Sequence, residues 1–466
     1  MNPWVKLVGN KSRTPDRRVR LAVERLEDRA TPATFTVTTF LDDNVAHVGF
    51  LSLRQAVEQA NANGNPDEVD IIRFAPGLAG RIIRLDAGLG QLEVTESVFV
   101  NGLGASKLTI SGERETRIFE LFGNEEEAVR VTIRALTLTR GYATADEEDP
   151  GNGGAIETIF FDEDDSLTLI ADRFIDNNAD SLGGAVCTDG GNVIILDSLF
   201  HHNTADFDGG AVIIGGVDGN LLIDRCTFSF NRAFSGEGGG LWLDNDGIVA
   251  RISRSTFYHN DAEIDGGGIG SCFTFTDLTI ENSTISGNET RGGDGGGIGF
   301  TIGNLRLRNC TIAFNNAREG RGGGVFGGFG AFIDIHNTII DGNRHQGGLL
   351  NDIAHAGESG AVFNVRFSLI RSYIVDGVDQ INGINDHNIL GFSANLFPLG
   401  AYGGPTLTHA INVLSKAFSR GSVALAAGLP TDQRGLPRVI RGFIDIGAYQ
   451  SQTTMRRRNW GPGFYF

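Results

Sequence analysis

No stretch of the 466-residue chain approaches the roughly 18 consecutive apolar residues of a membrane-spanning helix. The first thirty residues also lack the unbroken apolar segment of an ordinary signal peptide. The expectation is a soluble chain, or one exported by another signal. Basic residues are outnumbered, 39 Lys and Arg against 57 Asp and Glu for a net −18, which argues against nucleic acid or an anionic membrane surface as the main partner. Calcium and neutral glycans fit that charge better. Proline is scarce at 11 residues, so the pair it makes with 66 glycines stays below the roughly 25–30% of low-complexity chains. With 40% apolar residues the chain can bury a substantial core, and its glycine must be structural.

Also missing from the middle of the chain is any ten-residue stretch of helical period; what recurs is Phe or Ile, two variable residues, then Asn. The pairs are Phe174/Asn177, Phe200/Asn203, Phe228/Asn231, Phe257/Asn260, Ile285/Asn288, Ile312/Asn315 and Ile340/Asn343, and the Asn positions advance by 26, 28, 29, 28, 27 and 28. Nine or ten residues after most of them comes a glycine pair or Gly-Ala followed by an aliphatic residue, as at Val186, Val212, Leu241, Ile269, Ile298 and Val325, with Ile156 opening the series. Short alternating runs such as Val193 to Leu196 lie between. Three short strands and three turns occupy about 28 residues, one rung of a parallel solenoid. The predicted fold is all-β: a single-stranded right-handed parallel β-helix with an N-terminal capping helix and an irregular C-terminal cap.

In such a coil, equivalent residues stack at the ~4.8 Å spacing of neighbouring strands. Phe174 to Ile340 become an interior apolar column, each member stabilised by about 1.5–3 kcal/mol on burial. The Asn column is expected in tight left-handed turns, its amides donating and accepting along the stack. Cys226 and Cys310 share a column three rungs apart, about 14 Å, beyond the ~7 Å reach of a disulfide. Cys187 and Cys272 are likewise three rungs apart, so four free thiols are predicted.

The quoted segments FIDN, LFHHN, TFSFN and TFYHN, paired with GGAI, GGAV and GGGI, resemble the polymorphic outer membrane protein repeat over about residues 150 to 350. The resemblance implies surface display and, in many members, an adhesin or passenger role. Ser52-Leu53-Arg54-Gln55 reads as a capping box opening a helix with Leu53, Ala56, Val57 and Ala60 on one face. LSLRQAVEQAN resembles the CSLREA-type segment that precedes such repeats, with Leu51 in place of its Cys and Gln55 of its Glu. Val23 to Ala33 resembles the E-x-L-E-x-R leader of bacterial surface proteins. Near the C-terminus, Ala394 to Ala410, Thr431 to Arg438 and Asp445 to Gln450 resemble the choice-of-anchor Q domain, departing from it at Lys416, Phe418 and Gln450. The domain reading is a basic leader over 1–33, an N-terminal cap and irregular first rungs over 34–149, regular rungs over 150–370, the choice-of-anchor Q-like module over 371–450 and a flexible tail over 451–466.

Candidate chemistry lies in the columns. Asp208, Glu237, Asp265 and Asp294 stack on four rungs before Arg321 and could share calcium, although a solvated edge relieved by Arg321 is the plainer reading. The acidic runs at 125–127, 146–149 and 162–165 read as solvated insertions. His202 and His259 share a column with Phe230 and Phe314; two rungs part the histidines, too far for one zinc. That outward stripe could contact sugar rings or a protein partner. Asp189 and Asp244, with Asp246 nearby and Trp242 on the same face, stand about 9.6 Å apart, at the upper edge of an inverting glycosidase pair, but Gly215 fills the rung between and no basic cluster suits a lyase. The leading expectation is an exported, cell-surface or outer-membrane-associated monomer acting as an adhesin-like or structural module that meets surface glycans or other surface proteins. No cofactor beyond calcium and no catalytic centre are expected. The competing reading is a polysaccharide-degrading β-helix enzyme.

Overall fold

A computed structural model describes residues 32–453 except 46–47, 64–67, 125–126, 148, 217–218, 245, 272–274, 358–359 and 376–377. The leader up to residue 31, the tail from 454 and Cys272 lie outside the described residues.

Alternation of apolar and polar residues in the short runs turns every second side chain inward, and the described strands stack rung on rung into a parallel β-helix. One regular rung runs through Asn192–Leu196, Leu199–His201, Thr204–Ala205 and Val212–Ile214. These feed sheets of 13, 12, 9 and 10 strands, called here the first to fourth in the order a rung visits them. Each rung thus has four strands rather than the three read from the sequence. The third has only two residues, too few to show an alternation. Its inward position holds Ala179, Ala205, Ala233, Ala262, Thr290 and Ala317, small side chains at a corner where two sheets converge.

The expected interior column is in register from Phe174 through Phe200, Phe228, Phe257, Ile285 and Ile312 to Ile340. All seven are fully buried, and the four phenyl rings stack at centroid separations of 4.6, 4.6 and 4.5 Å. Beside them the buried Asn column forms a continuous chain. The Nδ2 and backbone N–H of Asn177, Asn203, Asn231, Asn260, Asn288 and Asn315 each donate to Oδ1 of the next Asn at 2.8–3.1 Å. The backbone N–H and the Nδ2 of Asn343 donate to Oδ1 of Asp352, at 2.9 and 2.8 Å, where the chain ends. One expectation is corrected: the left-handed residue of this turn is not the Asn but the one before it, Asp176, His202, Phe230, His259, Gly287, Phe314 and Gly342. The Asn amide fixes the turn by bonding while its neighbour takes the positive φ and points outward.

A second polar chain runs along the turn between the first two sheets, where backbone N–H groups donate to side chains one rung on: Asp172 to Ser198, Cys226 to Ser255, Ser255 to Ser283, Cys310 to Thr338. Cys226 and Cys310 are small members of this column, and burial pushes both thiols up to about 12. With Cys187 they are free and buried.

The helix forms at Leu53–Asn61 with both halves of the capping box in place. Its Leu53, Ala56, Val57 and Ala60 join the central core. At the other end the chain adds short strands to the first two sheets, at Asn385–Asp386 and Ile389–Leu390, and then doubles back. Residues 393–451 lie along the outer face of the second sheet, where Ile339 and Leu369 of that sheet pack with Ala394, Ile411, Ala417, Phe418 and Ile446. The motif that resembles choice-of-anchor Q supplies the polar contacts. Fully buried Gln433 donates through Nε2 to Thr256 Oγ1 and the Leu407 carbonyl and accepts from Thr284 at 2.6 Å. Fully buried Arg438 donates to the carbonyls of Gly447 and Ala448 and to Asn282 Oδ1. Asp432 pairs with Arg434 at 2.7 Å, and the guanidinium of Arg434 stacks on Tyr449. Gln450, where the resembled motif usually has Glu, accepts from the Asp445 N–H through Oε1 at 2.8 Å.

Candidate functional site

The turn between the second and third sheets brings its left-handed residue to the surface at Asp176, His202, Phe230, His259 and Phe314, and from His202 to His259 these residues are aromatic. Phe230 and Phe314 are 42% and 49% exposed. His202 and Phe230 rings are 5.4 Å apart, and Phe230 stacks on His259 at 5.2 Å and 29°. The last outward residues of the second-sheet strands widen the stripe: His201 lies 4.2 Å from His202, and Tyr258 meets Phe230 edge-on at 5.4 Å. His201 Nδ1 is 2.9 Å from Ser229 Oγ, and its pKa is lowered by burial and then by the neighbouring His202. Sequence spacing found His202, Phe230, His259 and Phe314; His201 and Tyr258 escaped it because they sit one position earlier, on strand residues.

Two glycines carry weight here. Gly287 and Gly342 occupy the same turn position at φ +67° and +78°. A Cβ at Gly287 would come within 2.9 Å of the His259 ring, and one at Gly342 within 3.0 Å of the Phe314 ring. Both rings therefore lean across the next rung and lie on its backbone.

Toward the N-terminus the stripe opens on a cavity of about 430 Å³ lined by Arg114, Tyr142, Asp176, Asn177, Asn178, His202 and Thr204. Tyr142 donates to Asp180 Oδ1 at 2.7 Å, a bond that raises its hydroxyl pKa. Asp180 also accepts from the Ala145 N–H, tying the loop after Tyr142 to the rung above. Thr204 Oγ1 donates to Asn178 Oδ1.

The other sequence candidates have structural duties. Asp208, Asp265 and Asp294 stack as expected, but the first accepts the Glu237 N–H at 2.7 Å, the second the Asp294 N–H at 2.6 Å and the third the Arg321 N–H at 2.5 Å. Glu237 is 8% exposed, and Arg321 closes the column with a 3.0 Å ion pair to Asp294. The acidic side chains thus cap the glycine-rich turn of the following rung. Among the described residues, the side chains whose ligand atoms gather within 4.8 Å are instead Glu120, Asp149 and Glu157. They surround Arg117, which pairs with all three at 2.7, 2.9 and 2.5 Å. Burial raises Glu157 to about 7. Asp149 is therefore no solvated insertion, and neither is Asp165, fully buried and accepting the Val129 N–H at 2.6 Å.

Asp189 and Asp244 are two rungs apart as read, with Gly215 between. Asp189 accepts from Thr158 Oγ1 and from the N–H groups of Phe160 and Phe161. Asp246 accepts from the Phe275 N–H at 3.0 Å. Asp244 keeps part of its surface open to solvent, and partial desolvation, then the charge of Asp208, raises its pKa. Trp242 is 3% exposed, packed with Cys187, Ile213 and Leu182, and presents no open face beside them.

No family model matches the chain, and no curated protein matches it. Among solved structures it is similar to pectate lyase Pel9A at 13% identity and a TM-score of 0.49, over 90% of this chain and 97% of that one. It is also similar to the A-modules of the Azotobacter vinelandii mannuronan C-5 epimerases AlgE6 and AlgE4, both at 12% identity, with TM-scores of 0.39 and 0.31. The AlgE6 likeness covers 73% of this chain and 92% of that module, the AlgE4 likeness 72% and 91%. None of the three bears on what this chain binds.

Proposed function

We propose that this protein is an exported, cell-surface β-helix that binds saccharide chains on the face built by His201, His202, Phe230, Tyr258 and His259. The observation that carries the reading is the unbroken run of exposed ring contacts over three rungs, leading into a cavity lined by hydrogen-bonding groups. Aromatic faces beside a few placed polar groups are the recipe for holding a ligand with apolar C–H faces and hydroxyl edges. The surface location rests on the resemblance of the repeat and of the C-terminal segment to those of displayed proteins; fractionation of the native cell tests it, and a cytosolic pool would remove it. In an immobilised-polysaccharide binding assay, the double variant F230A/H259A should lose about tenfold or more in affinity with an unchanged melting temperature. Unaltered binding by the variant would move the site elsewhere.

A second reading, an enzyme acting on the bound chain, is favoured by one observation: Arg114, Tyr142, Asp176 and His202 line a single cavity, a set able to orient a sugar acid and exchange protons with it. Reducing-end release and the ultraviolet absorbance of an unsaturated product on a polysaccharide panel, in the native protein and in Y142F, test it. No product from the native protein would sink this reading and leave the binding one.

A further inference from the structure

The rings of the binding face repeat with the rungs. His202, Phe230 and His259 occupy one position on three successive turns, with centroids 5.4 and 5.2 Å apart. That step is close to the rise of one pyranose in a fully extended glycan. A second line of groups runs parallel to the rings at the same period: the outward residues of the third sheet, Tyr142, Asn178, Thr204, Arg232 and Asp261, in register from rung to rung. The three ring-bearing rungs therefore each offer one surface for a C–H face and, beside it, one group for a hydroxyl edge, and the two rungs before them offer Arg114, Tyr142, Asp176 and Asn178 of the polar cavity. The face carries no excess of positive charge, Arg114 and Arg232 standing against Asp176, Asp180, Asp206 and Asp261, on a chain whose net charge of −18 repels polyanions. Both ends are defined. The polar cavity closes the first, and at the other Gly287 supplies no ring while Phe314 turns edge-on to His409 of the C-terminal segment at 5.3 Å and 67°.

From this arrangement we infer that the ligand is a neutral, extended, diequatorially linked glycan lying parallel to the solenoid axis, one sugar to a rung. The inference rests on the saccharide reading of the same face and adds the geometry of the chain. A linkage that coils the glycan rotates its apolar faces out of line within two or three sugars and cannot follow a straight row of rings. Five rungs, from Tyr142 to His259, at ~4.8 Å each hold about five sugars.

Titration calorimetry with cello- and chito-oligosaccharides of increasing length, against malto-oligosaccharides of the same lengths, tests it on the full chain. At least one extended series should tighten with each added sugar up to about five and then level off, with the malto series about tenfold weaker or worse at equal length. F230A should flatten the length dependence, whereas F332S, at an exposed position on the first sheet, should not. Equal binding of the malto series, or affinity independent of length, overturns the axial arrangement and leaves glycan binding standing. Failure of all three series, together with failure of every immobilised polysaccharide, overturns both.

Discussion

Asn260 sits at the middle of the amide chain with every hydrogen-bonding atom of its side chain engaged. Its Nδ2 donates to the Phe228 carbonyl and Asn288 Oδ1, and its Oδ1 accepts from the backbone and the side chain of Asn231. Truncation strands groups on both flanking rungs at once in a region closed to water. N260A is expected to cost about 3 kcal/mol, at the upper end for a buried unsatisfied group, measured as a fall in the urea unfolding midpoint; a shift of a few tenths would show that water or a rearranged neighbour replaces the amide. This column was visible in the sequence because Asn returned at a nearly constant interval and its Phe partner marked the inward face. The left-handed residue beside it was not, since His, Phe, Asp and Gly have no chemistry in common; only the backbone they share relates them.

The rung with its ladders is the element of this fold, and the amide ladder has a direction. Every amide-to-amide bond runs toward the C-terminus, so seven aligned amides lead to the buried carboxylate of Asp352, which also accepts from the Ser372 N–H. Burial raises Asp352 to about 7 against these three donors. Its ordinary value in the unfolded chain is about 3.9. Between those values the folded protein holds a proton that the unfolded chain has released, so this group's contribution to stability falls as pH rises from about 4 through about 7. D352N keeps the acceptor for Asn343 and opposes an amide to the Ser372 N–H. It is expected to be less stable overall but to lose this part of the pH slope, as read from denaturant midpoints across the window. Identical slopes in the two proteins would place the titration elsewhere. Nothing in the period pointed to Asp352: the chain makes an antiparallel excursion through Leu349–Leu350 before it, so the eighth member arrives 9 residues after Asn343 rather than about 28, and as a carboxylate.

For the whole molecule, the least legible feature was the return of residues 393–451 along the second sheet. Their partners lie as much as 178 residues away, and the covered positions Thr256, Thr284 and Thr311 look in sequence like ordinary solvent-facing strand residues. The TDQRGLPR segment was conspicuous through resemblance, but its reason is physical: Gln433 and Arg438 satisfy sheet and turn groups that the segment itself removes from water. Q433A is expected to weaken docking by about 2–4 kcal/mol through the groups it leaves unpaired, seen in limited proteolysis as new cleavage within 393–451; an unchanged digest would mean that apolar packing around Phe418 and Ile446 suffices.

A tower of near-identical rungs can ordinarily peel from either extremity, one layer at a time. The returning segment makes the two extremities unequal. Tension applied through the N-terminal rungs meets single layers in sequence, whereas tension through the C-terminus must first shear a clasp bridging the rungs from Thr256 to Leu369. The polypeptide therefore has a weak end and a locked end, and the ring-bearing surface lies where one gives way to the other.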